Sequence, residues 1–300
     1  MQDFIQHLIN GISYGSIYAL IALGYTMVYG ILQMINFAHS EVYMMGAFAS
    51  FYTARWLGID NSPGLSSLTI LLLASMVSCS LLSLAIEKFA YRPLRKAPKI
   101  NVLITAIGVS LLLQFLAQLI FGAEPHVFPT VLENQVMFNI SDVPLKTFDT
   151  TVFGVSLLAM LALHFLIYHT RMGQAMRAVS ANPTVASLMG IDVNRVISFT
   201  FIVGSCLAGI GSVLVGMKYP KIDPLMGMMI GLKAFVAAVL GGVGNIMGAV
   251  LGGLIMGLSE ELVVAYWSST LRDAIAFSIL IIILIFRPAG LLGKYTTEKV

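Results

Sequence analysis

Three ionisable side chains, Lys233, Glu260 and Glu261, stand inside long stretches that otherwise carry no charge. Facing lipid, each would cost at least about 2.5 kcal/mol, so such groups point into a helical bundle, toward water or toward one another. A Lys233–Glu260 pair is the simplest satisfied arrangement, and it reads first as a structural clamp and second as a group that touches a solute. His39 and Glu41 form another polar spot at what the sequence marks as an inner membrane boundary. Two residues apart, they cannot share one face of a helix, which argues against a metal site and for a polar hinge or gate lining. Other chemistry is missing from the sequence. There is no Gly-x-x-x-x-Gly-Lys-Ser/Thr loop, and Gly290-Leu291-Leu292-Gly293-Lys294 is too short to cradle phosphates. Nor is there a His-Glu-x-x-His, a Gly-x-Ser-x-Gly or a carboxylate cluster. The chain is therefore expected to be no enzyme and to hold no cofactor, with any ATP hydrolysed by another chain.

The elements that position these side chains are membrane spans. With 58% hydrophobic and 10% charged residues and a mean hydropathy of +0.91, too little polar surface exists to cover a soluble globule. Residues 4–40 contain no Asp, Glu, Lys or Arg, whereas one crossing needs only about 20 apolar residues. Further uncharged windows cover 61–86, 100–123, 150–170, 196–217 and 234–259, with a shorter one at 274–286. None shows the short polar/apolar alternation of a membrane barrel. The expected fold is all-α, a polytopic bundle of eight or nine transmembrane helices in one domain over residues 1–300. The start lacks a basic segment and its apolar run outlasts a secretory signal, so the spans themselves are expected to direct insertion.

Charge sets the orientation. Lys88, Arg92, Arg95, Lys96 and Lys99 crowd one loop, Arg171, Arg177 and Arg195 a second segment, and Arg287, Lys294 and Lys299 the tail. By the positive-inside rule all three are cytoplasmic. Residues 124–149 carry Glu124, Glu133, Asp142 and Asp149 against Lys146, and Gln135-Val136-Met137-Phe138 is strand-prone, so a small folded flap is expected outside. Parity then puts the amino terminus outside and the carboxyl terminus inside. The net charge of +3 follows from the inner loops and gives no argument for binding nucleic acid. Cys79 and Cys206 fall in predicted spans and read as small buried apolar residues.

Two segments stand out between and within the spans. In the cytoplasmic stretch 171–192, Asn182-Pro183 supplies an N-cap and a first-turn proline. Val185, Ala186, Leu188 and Met189 then form a short amphipathic helix stopped by Gly190. Its low charge and small apolar residues suit docking of a protein better than resting on lipid headgroups. Glycines at spacings of four, Gly11/Gly15 and Gly244/Gly248/Gly252, allow close helix approach in lipid. The run Gly241-Gly242-Val243-Gly244-Asn245 is too glycine-rich for a helix interior and reads equally as a cytoplasmic turn or a re-entrant break. Tyr29-Gly30 with Asn36 is echoed by Gly241-Gly242 with Asn245, each at the inner end of an outside-to-inside helix. This echo suggests a parallel internal repeat.

The run from Gly15 to Met44, with Ile35-Asn36-Phe37-Ala38-His39-Ser40-Glu41 at its heart, closely resembles the opening signature of the branched-chain amino acid ABC transporter permeases. Arg177, Asn182, Pro183, Ala186, Gly190 and Ile191 resemble that family's cytoplasmic docking loop. Gly231-Leu232-Lys233-Ala234-Phe235 with Gly241 to Asn245 resembles its late signature, and Arg287-Pro288-Ala289-Gly290-Leu291 its ending. Ser40 stands where the family usually has glycine and Met247 where it often has proline. The resemblance covers essentially the whole chain and is more specific for family than for cargo. It implies the shorter of two related permeases in a bacterial inner-membrane importer of leucine, isoleucine and valine. Implied partners are the second permease, two cytoplasmic ATPases that bind ATP and Mg, and a soluble amino-acid-binding protein outside. It further implies that the docking-loop residues carry the ATPase stroke, and that Asn36, Phe37, His39, Glu41, Lys233, Gly241, Gly242 and Asn245 lie near the pathway or its gates. A sibling importer of urea, short amides or another small polar solute is the nearest alternative. An ion-coupled secondary transporter, needing buried acidic coupling sites, comes next and a membrane enzyme last.

Overall fold

A computed structural model describes residues 2–60, 62–95, 97–140 and 143–293, with the backbone alone for Lys99, Asn139, Ile140 and Val143. Asn61, Lys96, Asp142, Lys294 and Lys299, which entered the reading of windows and charge, lie outside the described residues. The chain is mostly helical: α1 (Gln2–Leu32), α2 (Ala38–Leu57), α3 (Leu65–Ile86), running into a π-helical turn at Glu87–Tyr91, and α4 (Lys99–Phe121). A flap follows with β1 (His126–Val127), β2 (Val136–Ile140) and β3 (Val143–Lys146), then α5 (Thr147–His169), α6 (Arg171–Ala181), α7 (Pro183–Leu188) and α8 (Val193–Lys218). β4 (Lys221–Ile222), α9 (Met226–Gly241), α10 (Ile246–Tyr266) and α11 (Arg272–Phe286) complete it.

Seven segments among the described residues are long and apolar enough to cross a bilayer, contributed by α1, α3, α4, α5, α8, α10 and the region of α11. The expected eight or nine exceeds that number for a physical reason. α2 has 20 residues but carries His39, Glu41 and Arg55, and α9 has only 16 residues.

α1 forms the centre. From Gly11 to Val28 it is buried almost all round, as expected of a helix apolar on every side. Glycine lets α10 lie against it: a Cβ at Gly257 would come within 2.2 Å of Gly15 N, and one at Gly253 within 2.5 Å of Ala19 Cα. Lipid gives no hydrophobic drive for association, so this backbone approach supplies the packing. α8 meets α3 through Ser75, whose hydroxyl donates to the Gly209 carbonyl at 3.0 Å and lies 2.9 Å from Ser212 Oγ. Cys79 is buried beside them and Cys206 lies partly buried near Ser80, both unbridged. α4, α5 and α11 are on the periphery, with largely exposed apolar faces.

The acidic loop folds as a flap. β2 pairs antiparallel with β3, and β1 with β4, so the flap is tied to the segment after α8. Among the described residues the mostly helical chain thus carries four short strands, and in β2 Val136, Phe138 and Ile140 favour extended backbone.

Candidate functional site

The chain reverses between α1 and α2 at Gln33, a non-glycine residue with positive φ (+52°). The linker 33–37 turns back into the bundle. Asn36 is buried and accepts a hydrogen bond from the Tyr91 hydroxyl at 2.6 Å, which ties the linker to the end of α3. His39 lies buried inside the bundle. Its ring meets Tyr25 edge-on at 4.8 Å and fills the space beside Gly24, where a Cβ would come within 2.2 Å of Nε2. That nitrogen has no hydrogen-bond partner. This packing follows from the reversal at Gln33, which brings the first turn of α2 back alongside α1.

Glu41 leaves α2 toward a different neighbour. It is buried against α9 at Gly227, where a Cβ would lie 2.8 Å from Glu41 Oε2. Oε1 accepts a long hydrogen bond from Ser110 of α4 at 3.4 Å, and Oε2 has no partner. Here α1, the 33–37 linker, α2, α4 and α9 line a half-open cleft of about 170 Å³. Tyr25, Phe37, Glu41, Ser110, Gln114 and Phe235 are among its walls. The Phe37 and Phe235 rings are 6.0 Å apart across it. Gly231 gives room to Ser40, whose hydroxyl donates to the Phe37 carbonyl at 2.7 Å.

On the opposite face of α9, Lys233 Nζ lies 3.0 Å from Glu260 Oε1 of α10. Their alignment makes this an ion pair rather than a hydrogen bond, and that oxygen has no hydrogen-bond partner. The Tyr18 hydroxyl of α1 donates to Glu260 Oε2 at 2.9 Å. A third charged group joins them: Asp273 Oδ1 of α11 is 2.7 Å from Lys233 Nζ. Asp273 escaped the sequence reading because it precedes the uncharged window beginning at Ala274. Glu261 belongs to a separate set, 3.1 Å from His7 Nδ1 and accepting from Asn10 Nδ2 at 3.2 Å. Two further buried pairs were also missed. Lys218 Nζ is 2.7 Å from Asp149, and Glu87 pairs with Arg95 and accepts from Ser198 at 2.9 Å. Partial burial lowers the Arg95 pKa, an effect opposed by the Glu87 charge.

Gly241 to Asn245 form a tight turn joining α9 to α10. Gly242 (φ +105°) and Gly244 (φ +91°) take left-handed conformations open to glycine. The Asn245 side chain caps α10 by accepting from Gly248 N at 3.1 Å, and its Nδ2 donates to the Leu292 carbonyl. The Arg287–Gly293 stretch seals the turn: Leu291 and Leu292 N–H donate to the carbonyls of Leu240 and Gly241. Lys233, Gly241, Gly242 and Asn245 therefore follow one helix from its buried ion pair to its terminal turn.

The 171–192 segment stands apart from these. The Asn182 side chain accepts from Thr184 N and Val185 N at 3.0 and 3.1 Å, Pro183 opens α7, and Gly190 has φ +83°. Ala186 is buried, whereas Val185, Leu188 and Met189 are exposed. Ile191 N–H closes the turn on the Ala186 carbonyl at 3.1 Å. Arg177 reaches the other way, donating to the Ile167 carbonyl at the end of α5. Ser180 of α6 donates to the Gly30 carbonyl of α1, so the segment touches the helix that leads into the 33–37 linker.

The family model described as branched-chain amino acid transport system / permease component matches residues 7–284. The high-affinity branched-chain amino acid transport system permease proteins LivH of Escherichia coli (strain K12) and of Salmonella typhimurium are each 43% identical to this chain, covering 99% of it and 98% of their own length. BraD of Pseudomonas aeruginosa, of the same description, is 41% identical over the same shares. A match this long, running from the start of α1 through most of α11, establishes that the chain belongs to the branched-chain amino acid transport system permease family.

Proposed function

We propose that this chain is the shorter permease subunit of an ATP-driven importer that carries leucine, isoleucine and valine across a bacterial inner membrane by alternating access. The observation that carries this reading is the similarity to the branched-chain permeases over 99% of the chain. ATP and Mg are bound and hydrolysed by two cytoplasmic partner subunits, a second related permease completes the pore, and a soluble periplasmic protein delivers the amino acid.

In this reading α2 and α9 also lie within the membrane, giving nine helices that alternate in direction, with the amino terminus outside and the carboxyl terminus in the cytoplasm. The basic residues Lys88, Arg92, Arg95, Arg171, Arg177 and Arg195 then share the inner side. Exposed Trp56 and Trp267, at the far ends of α2 and α10, share the outer one, as interfacial tryptophans do. The matching positions of Asn36 and Asn245, each in the turn before an inward-starting helix, support a parallel repeat. α7 offers Val185, Leu188 and Met189 to the ATPase. The stroke passes through α6 and the Ser180–Gly30 contact to α1 and the 33–37 linker, and so to His39 and Glu41. Strong binding in the membrane is not required, since specificity resides in the delivering protein and the pore only alternates access.

The test is to purify the complex from its native membrane in mild detergent, identify its members by mass spectrometry, and measure uptake after reconstitution. A second permease, ATPase subunits and ATP-dependent uptake of labelled leucine are expected. Isolation without an ATPase, or uptake of urea or an amide in place of leucine, would refute the reading.

A further inference from the structure

Five carboxylates among the described residues are buried: Glu41, Glu87, Asp149, Glu260 and Glu261. Four have a basic partner, respectively Arg95, Lys218, Lys233 and His7 for the last four. Glu41 has none among the described side chains. A buried carboxylate without a counter-charge is costly, and a chain that neutralises the other four leaves this one beside a cavity.

We infer that the Glu41 cavity is the subsite that receives the ammonium group of the travelling amino acid, which supplies the missing positive charge in transit. This inference rests on the transport reading above and deepens it. A primary ammonium has three N–H donors, and Glu41, Ser110 and Gln114 bring acceptors to the same cavity. The ring faces of Tyr25, Phe37 and Phe235 carry negative electrostatic potential that favours a cation. Ile107, Leu111 and Leu232 complete the wall with aliphatic surface fit for a branched side chain. A calcium or magnesium ion would demand six or so oxygen ligands, far more than this largely apolar cleft presents. The site lies between α2, which follows the linker at the inner end of α1, and α9. Movement transmitted to α1 would therefore change how closely Glu41 is held against Gly227.

The test uses the reconstituted full complex with Cys79→Ala and Cys206→Ala, and with Met228→Cys as a reporter in the cavity wall. Modification by 2-aminoethyl methanethiosulfonate is compared with that by the sulfonatoethyl reagent, each normalised to its rate with a free thiol. A charge-lined cleft should favour the ammonium reagent by about tenfold. Glu41→Gln should abolish that preference and lower leucine uptake per ATP hydrolysed. Equal normalised rates, or a preference that survives Glu41→Gln, would overturn the subsite; equal rates are also the result if the second permease supplies the cation. Should Glu41→Gln fail to assemble, the preference in the Glu41 complex and its suppression by leucine decide the matter. Leucine uptake without any cation preference refutes the subsite alone. Cation preference without leucine uptake refutes the transport reading and leaves a cation subsite.

Discussion

Replacing Lys233 by Met should damage the bundle more than replacing Glu260, and the asymmetry comes from Asp273. Lys233 Nζ touches Glu260 at 3.0 Å and Asp273 at 2.7 Å. The Glu260 side chain is 4% exposed and that of Asp273 52%. Lys233→Met strands a buried carboxylate that keeps the Tyr18 hydroxyl as its hydrogen-bond donor but loses its ion-pair partner, a loss of about 3–5 kcal/mol. Glu260→Gln leaves the ammonium paired with Asp273, so the loss is that of one charged contact, about 1.5–3 kcal/mol. The double variant removes both buried charges and should recover part of the Lys233→Met loss. Asp273→Asn should cost least, under about 1 kcal/mol, because half of that side chain is already solvated. The measurement is unfolding of the purified protein against rising sodium dodecyl sulfate, followed by circular dichroism. A double variant no more stable than Lys233→Met, or a Glu260→Gln variant as unstable as Lys233→Met, would refute the reasoning.

Deleting residues 182–190, or placing charges at Val185 and Leu188, should abolish co-purification of the ATPase while leaving the permease in the membrane; undiminished ATPase recovery would count against the docking role. Asn182→Ala, which removes two capping bonds, should weaken α7 by about 1 kcal/mol and be read as reduced leucine-dependent ATP hydrolysis. Read from sequence as a segment that must bend, the Gly241–Asn245 run predicts that Gly241→Ala with Gly242→Ala slows transport. The structure changes that expectation to failed folding, since a Cβ at Gly241 would lie 1.9 Å from the Gly248 carbonyl oxygen; recovery of well-folded but slow protein would restore the hinge. Tyr91→Phe should free Asn36 and the 33–37 linker at a cost of about 1–3 kcal/mol, seen as faster proteolysis in that linker, and an unchanged cleavage pattern would argue that the bond is dispensable.

Much of this molecule can be read along the chain because membranes impose local rules. Uncharged windows become helices since lipid leaves backbone polar groups no other partners. The Asn182 cap, the Pro183 start and the Gly190 stop need only nearest neighbours, and α7 appears where they predict. Lys233 and Glu260 could be matched because each was a conspicuous charge in an apolar stretch. Asp273 could not, because it sits at the edge of its window and becomes a partner only when α11 folds back on α9.

What the sequence by itself determined is therefore the helical, many-span character, the family, and the short capped helix that Asn182 and Pro183 start. Tertiary structure alone decided that Gly241 to Asn245 form a turn sealed by the Leu291 and Leu292 amides. It also decided that His39 packs on Gly24 inside the bundle while Glu41 faces α4 and α9. The physical reason is that a helix's own pattern tells which face is apolar, but not which neighbour will cover it. The reversal at Gln33 selects those neighbours, and with them it leaves Glu41 as the buried carboxylate without a partner.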